Sequence, residues 1–311
     1  MTVRVGIGAG LGTQLSPQEY WRFVDFCETA GIDSIWHSDQ LLGATLEPVT
    51  MLAALSARTV RMRFGTNALV MPFRDPLVVA REFATIDFLS GGRLLPVFGI
   101  GAGSDPYWAA TGASPKGRGA RANEAIELVR LLLERDEVEY QGTHYRYSGP
   151  GVFPRPVKPM PLWIGGNSQA ALRRTAALGD GWLGSLIGPA AAGAARRGIE
   201  AALAETGRSI DADHYGVTLF MRIGAMDDPV VIATRDRLFG AMKQLDRNFA
   251  EDCFAAGGPE DIIRLIRAYV AEGMSKFVVL PMSAGIDDLM SQTQILVGEV
   301  LPEVEDRRAS G

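Results

Sequence analysis

At 311 residues, 47% hydrophobic and 22% charged, the chain has a globular composition with length for one large domain or two small ones. A formal net charge of -5 argues against nucleic acid or an anionic membrane as the main partner. Two cysteines, Cys27 and Cys253, are too few for a disulfide framework and fit a reducing compartment. The start, MTVRVGIGAG, enters a strand directly, so no signal peptide and a cytoplasmic setting are expected. No apolar run reaches membrane-spanning length.

Strand-like apolar runs alternate with amphipathic helical ones along the whole chain. Val3–Ala9 is the first strand, followed by a helix over Pro17–Ala30. Ser34–Ser38 and Pro48–Ala57 form the next pair, then Met62–Val70 with Pro76–Leu89. Leu94–Ile100 precedes Ala120–Leu133, Leu162–Ile164 precedes Ser168–Leu178, and Trp182–Leu186 precedes Ala190–Glu205. Tyr215–Ile223 is followed by two helices, Pro229–Lys243 and Pro259–Glu272; Lys276–Pro281 and Asp287–Val300 close the series. Prolines 17, 48, 76, 229 and 259 sit near helix starts, where a missing N–H costs little. Ser16, Asp75 and Asp228 precede three of them as N-caps.

Eight strand–helix units predict an α/β fold, a (β/α)8 TIM barrel. Two connections exceed a simple loop and are read as insertions after strands four and seven. The first, Arg135–Met160, contains EVEYQGTHYRY, the pattern of a hairpin; the second spans Ala225–Ser275. No linker divides the chain, so residues 1–311 are expected to form one domain. A doubly wound sheet would need a dinucleotide fingerprint. Gly6-Ile7-Gly8-Ala9-Gly10 and Gly99-Ile100-Gly101-Ala102-Gly103 both lack its spacing.

The most informative stretch is Pro161–Leu183: strand, Gly165-Gly166, the helix N-caps Asn167 and Ser168, helix, strand. A glycine turn at a helix start leaves backbone N–H groups free for an anion. It reads equally as a tight βα loop without a ligand. Reactive side chains are scarce. His37, His144 and His214 are scattered without metal-ligand neighbours at the usual spacing, so no metal is expected. Neither a nucleophile elbow nor a P-loop is present. An enzyme built on this chain would take its hard chemistry from an organic cofactor.

Four segments carry a family resemblance: GIDSIWHSDQ (31–40), FGTNALVMPFRDPLVVAREFATIDFLSGGRLLPVFGIGAG (64–103), KGRGARANEAIELVRLL (116–132) and WIGGNSQAALRRTAALGDGWL (163–183). In order and spacing the chain resembles the bacterial luciferase-like superfamily of flavin and deazaflavin oxidoreductases. The resemblance implies a TIM barrel with the cofactor across the C-terminal strand ends. It assigns Gly165, Gly166, Asn167 and Ser168 to the cofactor phosphate. It places a bulge and a non-proline cis peptide at Asn67–Ala68, supporting the cofactor ring. It implies a homodimer acting on a small-molecule substrate.

The resemblance also separates cofactors. Deazaflavin relatives carry Ser-Asp-His after the second strand, where the Asp contacts cofactor and the His moves a proton. Here Asp39 fits, but Gln40 stands in the histidine position, and an amide is no general base at neutral pH. His37 is the substitute candidate, with a packed histidine as the default reading. Flavin mononucleotide (FMN) relatives place an arginine near the end of the fourth strand. Here that position is Ala102, with room beside it at Gly101 and Gly103. Coenzyme F420 is therefore the expected cofactor and hydride transfer the expected reaction. The alternatives are an FMN-dependent monooxygenase and a non-catalytic cofactor-binding barrel or partner subunit.

Overall fold

Successive side chains of a strand face opposite layers, and this alternation sorts the apolar residues into two cores. In the second strand, Ser34–His37, Ile35 packs into a large outer core against the helices. Its neighbour Trp36 faces an inner cluster with Leu95, Val97, Trp163, Leu183, Phe220, Val278, Leu280 and Met282. The computed structural model describes residues 2–9, 15–40, 45–156, 158–225, 227–244 and 251–305.

The barrel strands are all parallel. They run Arg4–Gly8, Ser34–His37, Arg63–Thr66 with Leu69–Val70, and Leu94–Leu95 with Val97–Gly99. Trp163–Gly165, Gly181–Ser185, Tyr215–Ile223 and Lys276–Pro281 complete the set. Each pairs with the next, and the eighth returns to the first with Ile7 opposite Val279, which closes the barrel. The third strand breaks at a cis Asn67–Ala68 peptide and the fourth at Pro96, which has no N–H to offer a ladder. Thr66 bridges the two breaks. Its Oγ1 donates to the Val97 carbonyl at 2.8 Å and accepts from the Val97 N–H at 2.9 Å.

The expected caps are present. Ser16 forms a capping box with Glu19, Asp75 accepts from Leu77 and Val78, and Asp228 accepts from Val230. Glu47, unforeseen in the sequence, caps its helix through Thr50 N at 2.7 Å. Both insertions lie where expected. The first is an antiparallel hairpin of Glu137–Gln141 and Arg146–Pro150. The second holds helix Pro229–Gln244, helix Pro259–Ala271 and an unforeseen short strand, Phe254–Gly257, pairing with the end of the seventh strand. Helix Arg118–Glu134 starts earlier than the periodicity suggested, and a short helix, Tyr107–Thr111, precedes it. Among the described residues no helix is long and apolar enough to cross a membrane.

The N-terminal face of the barrel holds structural polar groups. Lys276 is buried, ion-paired with Asp33, bonded to Ser34 Oγ at 2.9 Å and set over the Trp36 ring. Burial pulls the Lys276 pKa down, and the Asp33 carboxylate opposes that pull. His214 lies on this face, its Nδ1 2.7 Å from the Asp180 carbonyl. Folding also brings Asp211 and Asp213 to His214, with ligand atoms within 4.8 Å of one another, a grouping that sequence spacing did not suggest.

Candidate active site at the barrel rim

The bulge in the third strand forms the floor of the rim. The Asn67 N–H donates to the His37 carbonyl at 2.8 Å, and its Oδ1 accepts from Thr218 Oγ1 of the seventh strand at 3.1 Å. Ala68 packs onto the inner apolar cluster. A Cβ added at Gly99 or at Gly165 would lie 3.3 Å from the Ala68 methyl. Glycine on the fourth and fifth strands therefore leaves room for the Ala68 methyl between them and the third strand.

Beside it, Gly165 ends the fifth strand and Gly166 takes φ +112°, a region open to glycine. The Gly166 carbonyl accepts from Trp182 Nε1 at 2.8 Å. Asn167 ties the turn to the sixth strand: its Nδ2 donates to the Ser185 carbonyl at 2.7 Å and its Oδ1 accepts from Ser185 N at 3.2 Å. Ser168 Oγ caps helix Gln169–Leu178 through Ala171 N at 3.2 Å. With both side chains committed, the turn offers an anion its backbone and the first helical turn.

The loop after the fourth strand is held from within. The Ala102 N–H donates to Asp105 Oδ2 at 2.9 Å, and the Ala102 carbonyl accepts from Trp108 Nε1 at 2.8 Å. Trp108 is buried, its ring 4.4 Å from Phe73. It covers the loop and does not line an open pocket. Gly101 has φ +68°, and Gly103 lies against the Arg118 guanidinium.

The candidates at the end of the second strand differ in their surroundings. His37 faces outward, away from Trp36 and the lumen, with its Nε2 2.9 Å from Tyr20 Oη of helix Pro17–Thr29. Burial lowers its pKa to about 4, so it is neutral and packed, and a catalytic role has no geometric basis. Asp39 follows the strand and is held by groups of the third strand and its loop. Its carboxylate forms an ion pair with Arg74 and accepts from the Val70 N–H at 2.8 Å, and its side chain is only 2% exposed. Arg74 continues to Glu47 at 3.1 Å. These contacts tie Asp39 to the bulged strand. Gln40 is exposed at the rim, its carbonyl accepting from Thr45 Oγ1 at 3.3 Å.

Other rim residues resolve along the same lines. Arg222, at the end of the seventh strand, finds the acidic partners its burial demands: Asp288 at 2.6 Å and Asp228 at 3.2 Å. Leu186 adopts φ +56° at the end of the sixth strand, a conformation rare for a branched side chain. Thr218 and Arg74 were missed by sequence reasoning. Their partners are 151 and 35 residues away, and no local spacing signals such contacts.

The profile of the luciferase-like monooxygenase family matches residues 1–276. An F420-dependent glucose-6-phosphate dehydrogenase of Amycolatopsis mediterranei (strain U-32) is 30% identical over 192 residues, covering 58% of this chain and 57% of that protein. The chain therefore spans about half the length of such curated relatives. An F420-dependent secondary alcohol dehydrogenase, solved with an F420-acetone adduct, superposes with a TM-score of 0.82 at 19% identity, over 98% of this chain and all of that one. The oxygenating constituent of a Pseudomonas putida 3,6-diketocamphane monooxygenase, solved with FMN, superposes with a TM-score of 0.77 at 15% identity, over 98% and 100%.

Proposed function

The chain belongs to the luciferase-like monooxygenase family, and from that premise we propose that it is an oxidoreductase using coenzyme F420 to transfer a hydride to or from a small organic substrate. The observation that carries this reading is Ala68 on the bulged strand, with side-chain-free Gly99 and Gly165 against it, set beside a turn with neutral donors. A planar ring fits against Ala68. When bound, the deazaflavin supplies the two-electron hydride chemistry. The protein's part is to orient: Asn67 and Ala68 support the ring, and Thr218 holds Asn67. The backbone of Gly165, Gly166, Asn167 and Ser168 takes the phosphate. Gly101, Ala102 and Gly103 leave a path beyond it. Gln40 at the rim offers substrate a hydrogen bond, and Asp39 fixes the strand from behind. The similarity to F420-dependent dehydrogenases supports this cofactor.

Arg174, on the second turn of the same helix, is turned to Asn123 and the Gly119 carbonyl, so the turn itself offers neutral donors, and a phosphodiester with one charge suits these better than the near-dianion of FMN. In a fluorescence titration of the purified protein, F420 is expected to bind at least about tenfold more tightly than FMN, or roughly 1.4 kcal/mol. Tighter FMN binding, with oxygen consumed on reduction, would establish the monooxygenase reading instead. Binding of neither would favour a non-catalytic barrel or partner subunit.

The reading includes one barrel domain over residues 1–311 and a reducing, cytoplasmic setting, which the free buried Cys27 and Cys253 support. It also includes a homodimer. Helices Pro48–Arg58 and Pro76–Ser90 flank a groove of about 760 Å³ edged by exposed Val78 and Leu89, with exposed Phe88 beside it. The groove carries Arg74 and Arg81 together with Glu47 and Glu82, so a two-fold copy would match its own charges. Phe88→Glu is expected to convert a dimer to a monomer in analytical ultracentrifugation. A wild-type monomer would remove the assignment.

A further inference from the structure

Most buried cations near the rim carry a carboxylate: Arg74 has Asp39 and Arg222 has Asp288. Arg174 departs from this. It lies on the second turn of helix Gln169–Leu178, is 6% exposed, and donates to two neutral acceptors, Asn123 Oδ1 and the Gly119 carbonyl. Its charged neighbour is another cation, Arg118. Burial and that like charge together lower the Arg174 pKa.

Arg118, half-buried, likewise donates to neutral acceptors. Its Nε donates to the Gly101 carbonyl at 3.3 Å and its Nη1 to the Pro115 carbonyl at 3.3 Å. It lies flat along Gly103, where a Cβ would come within 3.1 Å of it. The nearby carboxylates are engaged elsewhere. Asp105 holds Ala102 N, Glu124 takes three N–H groups of the hairpin, and Glu127 accepts from Tyr140. Among the described residues neither arginine has a carboxylate in ion-pairing reach.

Two guanidiniums held together without a counter-charge are costly unless an anion completes the group. The pair sits beside the loop of the fourth strand, and that strand pairs with the fifth, which leads into the Gly165–Ser168 turn. From Arg118 against Gly103 and Arg174 on the carbonyl of the adjoining Gly119 we infer an oxyanion subsite that takes the carboxylates of the F420 glutamyl tail, beyond the phosphate at the turn. This rests on the F420 reading above. Carboxylates suit the site because a guanidinium fork matches them in two-point contact. The Gly101–Gly103 backbone leaves the lane along which such a tail would leave the barrel.

Two measurements test it, each on wild type, Arg118→Gln and Arg174→Lys, with circular dichroism confirming the fold. In the first, triglutamate peptide alone at millimolar concentration raises the wild-type Tm and leaves that of Arg118→Gln unmoved. In the second, wild type binds F420 bearing several glutamates about tenfold more tightly than F420 truncated before its first glutamate. Both variants reduce that ratio to about threefold or less, with little change for the truncated form. An unchanged ratio in Arg118→Gln, or an equal Tm shift in wild type and variant, overturns the subsite. Should wild type bind neither form of F420 yet show Arg118-dependent protection by triglutamate, the cofactor reading fails while the anion site stands.

Discussion

Replacing Asp39 by alanine is expected to cost about 3 kcal/mol of stability and to weaken cofactor binding at least about tenfold. The carboxylate is 2% exposed and meets both the Arg74 guanidinium and the Val70 N–H. Its removal leaves a nearly buried guanidinium with only Glu47, itself half exposed, and leaves the Val70 N–H without an acceptor. Val70 follows the Asn67–Ala68 bulge by two residues, so the loss reaches the surface proposed above to support the ring. Asp39→Asn keeps an acceptor for Val70 and loses only the charge, so it should fall between wild type and alanine. Urea unfolding reads the stability change and fluorescence titration the affinity. Wild-type values for Asp39→Ala in both would remove Asp39 from the supporting structure.

The second large effect is acid destabilisation through His37. Burial holds its folded pKa at about 4, against 6.5 for the free side chain. Between these values the unfolded chain binds the proton and the folded one does not. Stability is therefore full above pH 6.5 and falls as pH drops towards 4, by up to about 1.4 kcal/mol per unit and about 3 kcal/mol in all. The Tyr20 hydroxyl meets Nε2, and the Glu47 carboxylate favours the charged ring without offsetting its burial. His37→Gln retains a hydrogen-bonding partner for Tyr20 and cannot titrate. The difference in unfolding free energy between the two proteins, followed from pH 7 to 4.5, isolates this one group. A flat difference would show that His37 protonates in the folded state at no cost, and hence that it is not sealed behind the helix.

The residues above divide into those whose position is set locally and those set by closure of the barrel. Local periodicity determined the eight strands, the order of helices and the hairpin, because apolar spacing and proline or serine at helix starts act within a few residues. The same local logic located the Gly165–Ser168 turn, whose glycine geometry and Ser168 cap are properties of consecutive residues. The bulge at Asn67–Ala68 was reached through family resemblance, since its pattern reads as an ordinary buried strand. The direction of the polar side chains was decided only in three dimensions. His37 turns outward because it follows Trp36, which faces the lumen, and the partners of His37 and Asp39 come from separate helices and loops. Arg118 and Arg174 are 56 positions apart in a sequence that shows them as surface-like charges. Packing of two helices beside strands four and five buries Arg174 near a half-buried Arg118 and, among the described residues, leaves both without a carboxylate. Sequence determined where backbone donors lie, because a turn is local. Tertiary structure decided where charge remains uncompensated, because that depends on every element packed around it.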